Sequence, residues 1–240
     1  MLFPSLSTVV TAVVALASSA SALPHPPRST DLNRLASMMP LNTLPAPTGL
    51  QLKYVLLGIG TQNYTCATSI STDAPGTTGA LAKLYDLGSR LNNDPMAQWK
   101  LGSISGLALS LSQYGAWPLE TYLNSQGYSR WLGNHFFTQT TPTFSLNQVK
   151  SNPFPLAYVL KKAAVDAPKT ACPGTKNEGA VQWLKLADDN NLSQGGINTV
   201  YRIETAGGNK PAQCQGQQTA FQVPYALRHS SISMIRCPMR

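Results

Sequence analysis

The sequence predicts a mainly β protein, with a single β-sandwich or β-barrel-like domain that carries a short helical insertion. Apolar and polar residues alternate in several short runs, as they do in half-buried strands. The middle of the chain, around residues 95–130, has helical spacing instead. No repeat of solenoid or propeller length is visible, so we expect one large domain.

The first 22 residues are typical of a secretory signal peptide. An apolar stretch from Val9 to Ala17 precedes Ala20-Ser21-Ala22, which is a small-x-small cleavage site. The stretch is too short to span a bilayer, and no other apolar run is longer. We therefore expect a secreted protein, extracellular or in the cell wall, with no membrane span.

Three further segments follow the signal peptide. Residues 23–48 contain six prolines, which favour an extended leader with a short helix at Asp31 to Met38. Residues 49–226 form the predicted β-rich domain. Residues 227–240 are basic, lack aromatic residues and alternate poorly, which is atypical of a last strand and would fit an artefact of the gene model. Such an ending would leave a strand edge unpaired.

Strands are predicted where the alternation is clearest, at residues 52–56, 62–66, 199–205 and 221–225. Pro224 indicates that the last of these lies at a sheet edge or bulge. A helix is predicted from Pro118 to a stop at Gly127. Residues 104–111 fit a helix and a strand equally well and stay open between the two.

The composition limits the class of partner. The chain has 18 basic and 10 acidic residues, a net charge of +8, with only 12 % charged residues. An anionic partner such as an acidic polysaccharide or another anionic surface fits this balance, but the scattered basic residues also fit a soluble cationic surface. Nothing resembles a nucleic-acid-binding stripe, and we expect no nucleic-acid partner.

The cysteines indicate disulfides, because secretion exposes them to an oxidising compartment. Four are present, at Cys66, Cys172, Cys214 and Cys237, and they allow three connectivities. Their wide separation argues against a zinc site, so no metal is expected. Asn63 and Asn191 begin N-glycosylation sequons. If Tyr64 and Cys66 point inward, Asn63 points outward, as a glycan requires.

Two blocks of sequence resemble a known family. They are GIGTQNYTC at residues 58–66 and, far along the chain, VQWLKL, TVYRIETAGG, PAQC and FQVPY between residues 181 and 225. Together they are similar to a family of secreted proteins, mostly fungal with bacterial relatives, described as a domain of unknown function. Its members often carry the automatic label malate dehydrogenase. The resemblance brings no established chemistry with it, and it places Cys66 and Cys214 in matching blocks.

The dehydrogenase label fails on the residues themselves. A dinucleotide site needs G-x-G-x-x-G between a strand and a helix. Here Gly58-Ile59-Gly60 is followed by a β-favouring run with no third glycine, and Asp86 lies too far along the chain. We therefore expect no NAD and no other cofactor.

Candidates for catalysis are few. His135 is the single histidine inside the predicted domain, and it resembles the family's glycine-x-histidine-aromatic segment. A histidine hydrogen-bonded at a strand end is the favoured interpretation, and a general base is the alternative. Asp86 resembles the family's aromatic-aspartate pair, and with Glu204 it could supply the two carboxylates of a glycosidase. A surface ion pair between Arg202 and Glu204 is the simpler interpretation of Glu204.

Aromatic residues of the insertion could form a binding platform. Trp and Tyr rings offer flat apolar faces with a polar edge, which suits sugar rings. The candidates are Trp99, Trp117, Tyr128 and Trp131, although core packing is the favoured interpretation of these rings, as it is of Trp183. The leading hypothesis is a secreted protein that binds cell-wall polysaccharide or a host surface. The alternatives are an extracellular hydrolase of polysaccharides or esters and a structural wall or spore-coat component.

Overall fold

The computed structural model of the protein describes residues 31–234, and the side chains of residues 31–230. Residues 1–30, with the predicted signal peptide and His25, and residues 235–240, with Cys237, therefore lie outside the described residues. The helices are Asn33–Ala36 (α1), Gly88–Leu91 (α2), Ala97–Ser112 (α3) and Ala116–Gln126 (α4). The strands are Leu50–Thr65 (β1), Gly76–Asp86 (β2), Trp131–Thr138 (β3), Thr141–Ser145 (β4), Leu156–Tyr158 (β5), Leu160–Val165 (β6), Trp183–Ala187 (β7), Thr199–Gly207 (β8) and Ala220–Met234 (β9).

The nine strands form one antiparallel sheet that nearly closes into a barrel. Their order is β5-β4-β3-β2-β1-β9-β8-β7-β6, so the two ends of the sheet are β5 and β6. Only Val159 separates these two strands along the chain. The sheet edges therefore meet in one stretch of backbone, which protects edges that would otherwise be open to pairing. The predicted β-rich, barrel-like class is confirmed.

Two apolar cores lie on the two faces of this sheet, because successive side chains of a strand point to opposite faces. On β1, Leu56 packs in the barrel interior with Leu84 and Phe144. Its neighbours Val55 and Leu57 pack outside, against the helices. The alternation of β1 thus has a buried residue on each side, which is why its sequence is more apolar than that of a surface strand.

The helical insertion lies over the outer face of the barrel. The segment that fitted helix and strand equally is helical, in α3, where Ile104 and Ala108 are buried and Leu107 is exposed. A strand would instead have buried Leu107 with its second neighbours. The predicted stop of α4 is also observed, since Gly127 adopts a left-handed conformation at φ +71° and caps the helix.

Residues 31–48 pack on the domain more closely than an extended leader would. The helix α1 is shorter than predicted, and Leu32, Leu35 and Leu44 are buried in the outer core. The guanidinium of Arg34 donates hydrogen bonds of 2.8 Å to the carbonyl oxygens of both Asn92 and Asp94. Burial of these leucines explains the difference, because packing against the domain removes their apolar surface from water.

The end of the chain also differs from the sequence-based expectation. Strand β9 continues through residues 227–234 and pairs with β1 as far as Leu50↔Met234 and with β8 as far as Thr199↔Ile232. It is an interior strand, so the expected unpaired edge is absent from this part of the structure. Pro224 is not on an edge strand either, although pairing with β8 stops one residue away, at Tyr225.

One disulfide joins Cys66, at the end of β1, to Cys214, in the loop before β9. The closed loop spans 148 residues, and such a constraint on the unfolded chain typically contributes ~2–4 kcal/mol. Cys172 has no disulfide partner among the described residues, and Cys237, a further candidate partner, lies outside them, so the predicted disulfide of Cys172 stays a prediction.

The close approach of β1 and β2 depends on a glycine. A Cβ at Gly60 would lie 1.9 Å from the carbonyl oxygen of Leu81 and 2.6 Å from the Cα of Ala82, both backbone atoms. We predict that Gly60→Ala destabilises the protein by ~1–3 kcal/mol or more, measured as the free energy of unfolding in urea. Gly76→Ala is the control, because a Cβ at this position would lie 3.6 Å from its nearest neighbouring atom. The free energy of unfolding of this variant should stay within ~0.5 kcal/mol of the parent. Equal losses in both variants would contradict the prediction.

Candidate functional site

The barrel has a polar cavity at each end. On β1 the inward-facing Tyr54 lines one cavity and the inward-facing Gln62 and Tyr64 line the other. Eight residues of strand separate Tyr54 from Gln62, which places the cavities ~26 Å apart along the strand. We call the cavity at Tyr54 the first mouth and the cavity at Gln62 the second mouth. The mouths of β-barrels are among the common positions of ligand sites.

A plug of rings fills the barrel between the two mouths. The His135 ring stacks on the Phe144 ring, with ring centres 4.1 Å apart. The His229 ring lies edge-on to both, and its centre is 4.7 Å from that of Phe144 and 5.8 Å from that of His135. All three side chains are buried. The interior therefore offers no continuous channel through these rings, and each mouth is a separate site.

The two histidines of the plug are neutral. Burial lowers the pKa of His135 to about 4, against the raising effect of its hydrogen bond to the carbonyl oxygen of Thr143. Because a carbonyl only accepts, the Nδ1 of His135 carries the proton and donates. Burial also holds the pKa of His229 well below 6.5, with smaller contributions from His135 and Arg202. Neither ring nitrogen of His229 has a hydrogen-bond partner among the residues that the structure describes.

His135 is thus not placed as a general base in this structure. It is 5 % exposed, it lines neither mouth, and its nearest rings are those of the plug. From the sequence, His135 is the single histidine of the predicted domain, because His229 falls in the atypical tail. The continuation of β9 brings His229 into the interior, a position that only the strand pairing reveals.

The first mouth is built around Asp86, at the end of β2. The Oδ1 of Asp86 accepts a hydrogen bond from the backbone N–H of Ser89 at 3.1 Å, and Oδ2 accepts one from the Ser89 hydroxyl. The Nη1 of Arg130 donates to Oδ2 at 3.3 Å. Asp86 is buried while Arg130 is exposed. The carboxylate is held rigidly by three donors, and the guanidinium reaches out toward solvent.

The rest of the first mouth mixes polar and apolar groups around a cavity of about 500 Å³. Leu132 and Val149 form its apolar wall, and Gln51 and Lys53 lie at its rim. The Nζ of Lys53 donates to Oε1 of Gln51 at 2.6 Å. Burial raises the pKa of Tyr54, the nearby Asp86 raises it further, and Arg130 opposes this, so the phenol stays protonated.

Glu204 lies elsewhere, and its predicted ion pair is wrong. A bulge in β8 between Ile203 and Ala206 gives Glu204 a left-handed backbone, at φ +49°. Its side chain lines a groove against α3, outside the barrel, beside Cys172. Burial raises the pKa of Glu204, and the charge that opposes this shift is Arg228.

Arg202, the expected partner of Glu204, instead donates to the carbonyl oxygen of Gln182 from Nε at 3.1 Å and from Nη2 at 2.9 Å. It lines the second mouth. Asp86 and Glu204 line different cavities on opposite faces of the sheet, so they do not form a pair that could flank one glycosidic bond.

The four aromatic candidates are dispersed. Trp99 and Trp117 are 66 % and 76 % exposed, on α3 and α4. Tyr128 is 1 % exposed and packs edge-on against Tyr122, so it offers no ring face to a ligand. Trp131 is 40 % exposed and follows Arg130 of the first mouth, and its Nε1 donates to the carbonyl oxygen of Gly133 at 2.6 Å. Of the catalytic and aromatic candidates, Asp86 lines the first mouth, and Trp131 follows a lining residue, Arg130, in the sequence.

The sequon asparagines occupy different settings. Asn63 is half-buried on β1, with Tyr64 and Cys66 buried on the other face, as the alternation predicted. Asn191 is exposed in a turn, where Asp188 accepts a hydrogen bond from the backbone N–H of Asn190 at 2.9 Å.

Sequence reasoning missed several residues of the mouths. Tyr54 and Gln62 appear in the sequence simply as members of predicted strands, and Ser89 follows Asp86 in a segment without a motif.

In residues 31–234, no three His, Cys, Asp or Glu side chains lie close enough together to hold a metal ion. None of the helices described there is both long and apolar enough to cross a membrane.

The buried plug predicts a pH-dependent stability. A histidine whose folded pKa lies below 6.5 binds fewer protons than the unfolded chain, so stability falls as the pH is lowered from about 6.5 toward 4. We expect His229→Phe to flatten the dependence of the unfolding free energy on pH in this window. Asp188→Asn is the control, because hydrogen bonds hold the Asp188 pKa below 3.8 and its effect falls at more acid pH. An unchanged slope in His229→Phe would contradict a neutral buried His229.

Comparison with known protein families gives a match, which covers most of the chain. Residues 46–228 match the model of a family described as "Protein of unknown function (DUF3455)". No curated protein and no solved structure matches the chain. The matched region begins just before β1 and ends within β9, so it covers strands β1–β8, the first part of β9 and more than half of the sequence. The chain therefore belongs to this family of proteins of unknown function.

Proposed function

We propose that the protein is a secreted binding protein that recognises a short, uncharged stretch of cell-wall polysaccharide at the first mouth. The observation that carries the proposal is the lining of this cavity, in which a rigid carboxylate, an exposed guanidinium and a tyrosine ring surround an apolar wall. The cavity, at about 500 Å³, has the size of ordinary ligand sites.

The chemistry of the first mouth suits sugar hydroxyls. A hydroxyl both donates and accepts, and the mouth offers the carboxylate of Asp86 as acceptor and the guanidinium of Arg130 as donor. The ring of Tyr54 supplies a flat apolar surface with a polar edge. The charged residues of the lining are two acids, Asp31 and Asp86, and two bases, Lys53 and Arg130. This balance favours an uncharged ligand.

Three hydrogen-bond donors hold the Asp86 carboxylate in a fixed position, which supports a role in binding a ligand. A side chain fixed before the ligand arrives loses little conformational entropy on binding. Trp131 follows Arg130 in the sequence and is exposed, so its ring is free of the core. The predicted signal peptide and the Cys66–Cys214 disulfide support secretion, because disulfides persist in oxidising compartments.

The proposal predicts which aromatic residue matters. We expect the secreted protein to bind one class among soluble β-glucan, mannan and chitin oligosaccharides in isothermal titration calorimetry. Tyr54→Ala should weaken that affinity about tenfold or more, because an aromatic anchor in a cavity contributes strongly to binding. Tyr54→Phe keeps the ring and should lose less.

Trp117→Ala is the matched control. Its ring is also aromatic and is 76 % exposed, but it lies on α4 and does not line the first mouth. The affinity of Trp117→Ala for the oligosaccharide should equal that of the parent protein. The proposal fails if none of the three oligosaccharide classes binds, or if Trp117→Ala loses affinity while Tyr54→Ala retains it. The second result would move the site to the helical insertion.

A further inference from the structure

The second mouth contains a cation that has no anionic partner. It is a cavity of about 560 Å³ at the far end of β1, and its floor includes Arg202. Two of the guanidinium nitrogens of Arg202 donate to one carbonyl oxygen, that of Gln182. Within residues 31–230, no carboxylate lies within ion-pair distance of Arg202, since the ion pairs there involve Lys100, Arg130 and Lys162.

The remaining nitrogen of Arg202, Nη1, has no hydrogen bond to the described protein, and it is not among the fully occluded polar atoms. It is therefore accessible from the cavity. Desolvation by the surrounding protein lowers the pKa of Arg202, but the group stays charged because its ordinary pKa is 12.5. A partly desolvated charge without a counter-ion is energetically unfavourable, and an anion in the cavity would relieve this.

Gln62 is a second unsatisfied group in the same cavity. It is 7 % exposed and lines the second mouth, yet its side-chain amide has no hydrogen bond within the described part of the chain. Buried amides are nearly always partnered in proteins. Because its atoms are not fully occluded either, the amide faces the cavity and can donate to a ligand.

The rim adds further donors and limits the charge of the ligand. Lys210 donates one N–H to the carbonyl oxygen of Pro75 at 2.7 Å and keeps two more, and Asn209 is exposed beside it. The acid in the lining is Asp166, which accepts a hydrogen bond from Gln182 at 2.9 Å. Arg202 and Lys210 against Asp166 leave a single positive charge, which one negative charge balances.

We propose that the second mouth binds a carboxylate group, held by Nη1 of Arg202 and the amide of Gln62. The ligand is either an acidic sugar within a polysaccharide, such as a uronate, or a free small carboxylic acid. A doubly charged phosphate would exceed the single positive charge of the lining. This site is independent of the first mouth, since the ring plug separates them.

The test is a titration of the secreted protein with galacturonate oligomers, galacturonate monomer, inorganic phosphate and a neutral galactose oligomer. We expect a galacturonate form to bind and the neutral oligomer not to bind here. Arg202→Met should weaken binding about tenfold or more, which is the range for loss of a charge-assisted hydrogen bond. Lys83→Met removes the same charge from the exposed face of β2 and should leave the affinity unchanged.

A second variant keeps the proposal testable if Arg202→Met does not fold. Gln62→Glu places a carboxylate in the same cavity as Arg202, so it should raise the melting temperature and abolish galacturonate binding. Preference for the oligomer identifies a polysaccharide, and equal affinity for the monomer identifies a free carboxylic acid. The proposal is overturned if no galacturonate form binds, if phosphate binds more tightly, or if Lys83→Met and Arg202→Met lose affinity equally.

Discussion

The pairing of β1 with β9 is the constraint on which the rest of the structure depends. It runs along both strands from Leu50↔Met234 to Thr65↔Ala220 and joins the beginning of the domain to its end. Without it the two halves of the sheet, β2–β5 and β6–β8, would be joined mainly by the junction at Val159 and the isolated bridge between Leu156 and Gln194. Since the pairing bridges distant parts of the sequence, it carries a large loop-closure entropy. The Cys66–Cys214 disulfide lies beside the same end of the pairing and reduces that entropy in the unfolded chain.

This pairing also determines the polarity of the interior. Strand β9 brings Tyr225, Leu227 and His229 inward, and the first two pair with Gly60 and Gly58 of β1. The absence of side chains on the glycines leaves room for these rings: a Cβ at Gly58 would lie 3.1 Å from the His229 ring. Side chains of β9 thus fill the part of the interior that the glycines of β1 leave open. A neutral imidazole without hydrogen bonds is the cost of this packing, because its polar atoms are desolvated without compensation.

The sequence predicted the class of fold and several strands because alternation is a local property of the chain. It predicted the buried face of Tyr64 and Cys66, the helical stop at Gly127 and the core position of Trp183 for the same reason. It could not predict properties that arise from pairing. The inclusion of residues 227–234 in β9 follows from their partners on β1 and β8, since their own alternation is poor.

The candidate sites were less accessible to sequence reasoning for a related reason. Arg202 and Glu204 share a face only while the strand stays regular, and the left-handed bulge at Glu204 sends the two side chains to different faces of the sheet. No residue type in that segment marks the bulge, because non-glycine residues with positive φ are uncommon. Asp86 and Arg130 meet because the backbone N–H of Asp86 donates to the carbonyl oxygen of Arg130 at 2.9 Å, a contact across the helical insertion.

The plugged interior determines what kind of ligand the protein can hold. A barrel of similar strand number with an empty lumen can enclose a small molecule completely. Here His135, Phe144 and His229 occupy the centre, so any ligand lies at an end of the barrel and remains partly in solvent. A site of this shape suits a ligand that continues beyond the cavity, such as a segment of a polymer. The two mouths differ in charge, balanced at Asp86 and Arg130 and positive at Arg202 and Lys210, so they select different chemical groups. Because the ring plug separates them, a substitution at one mouth should leave binding at the other unchanged.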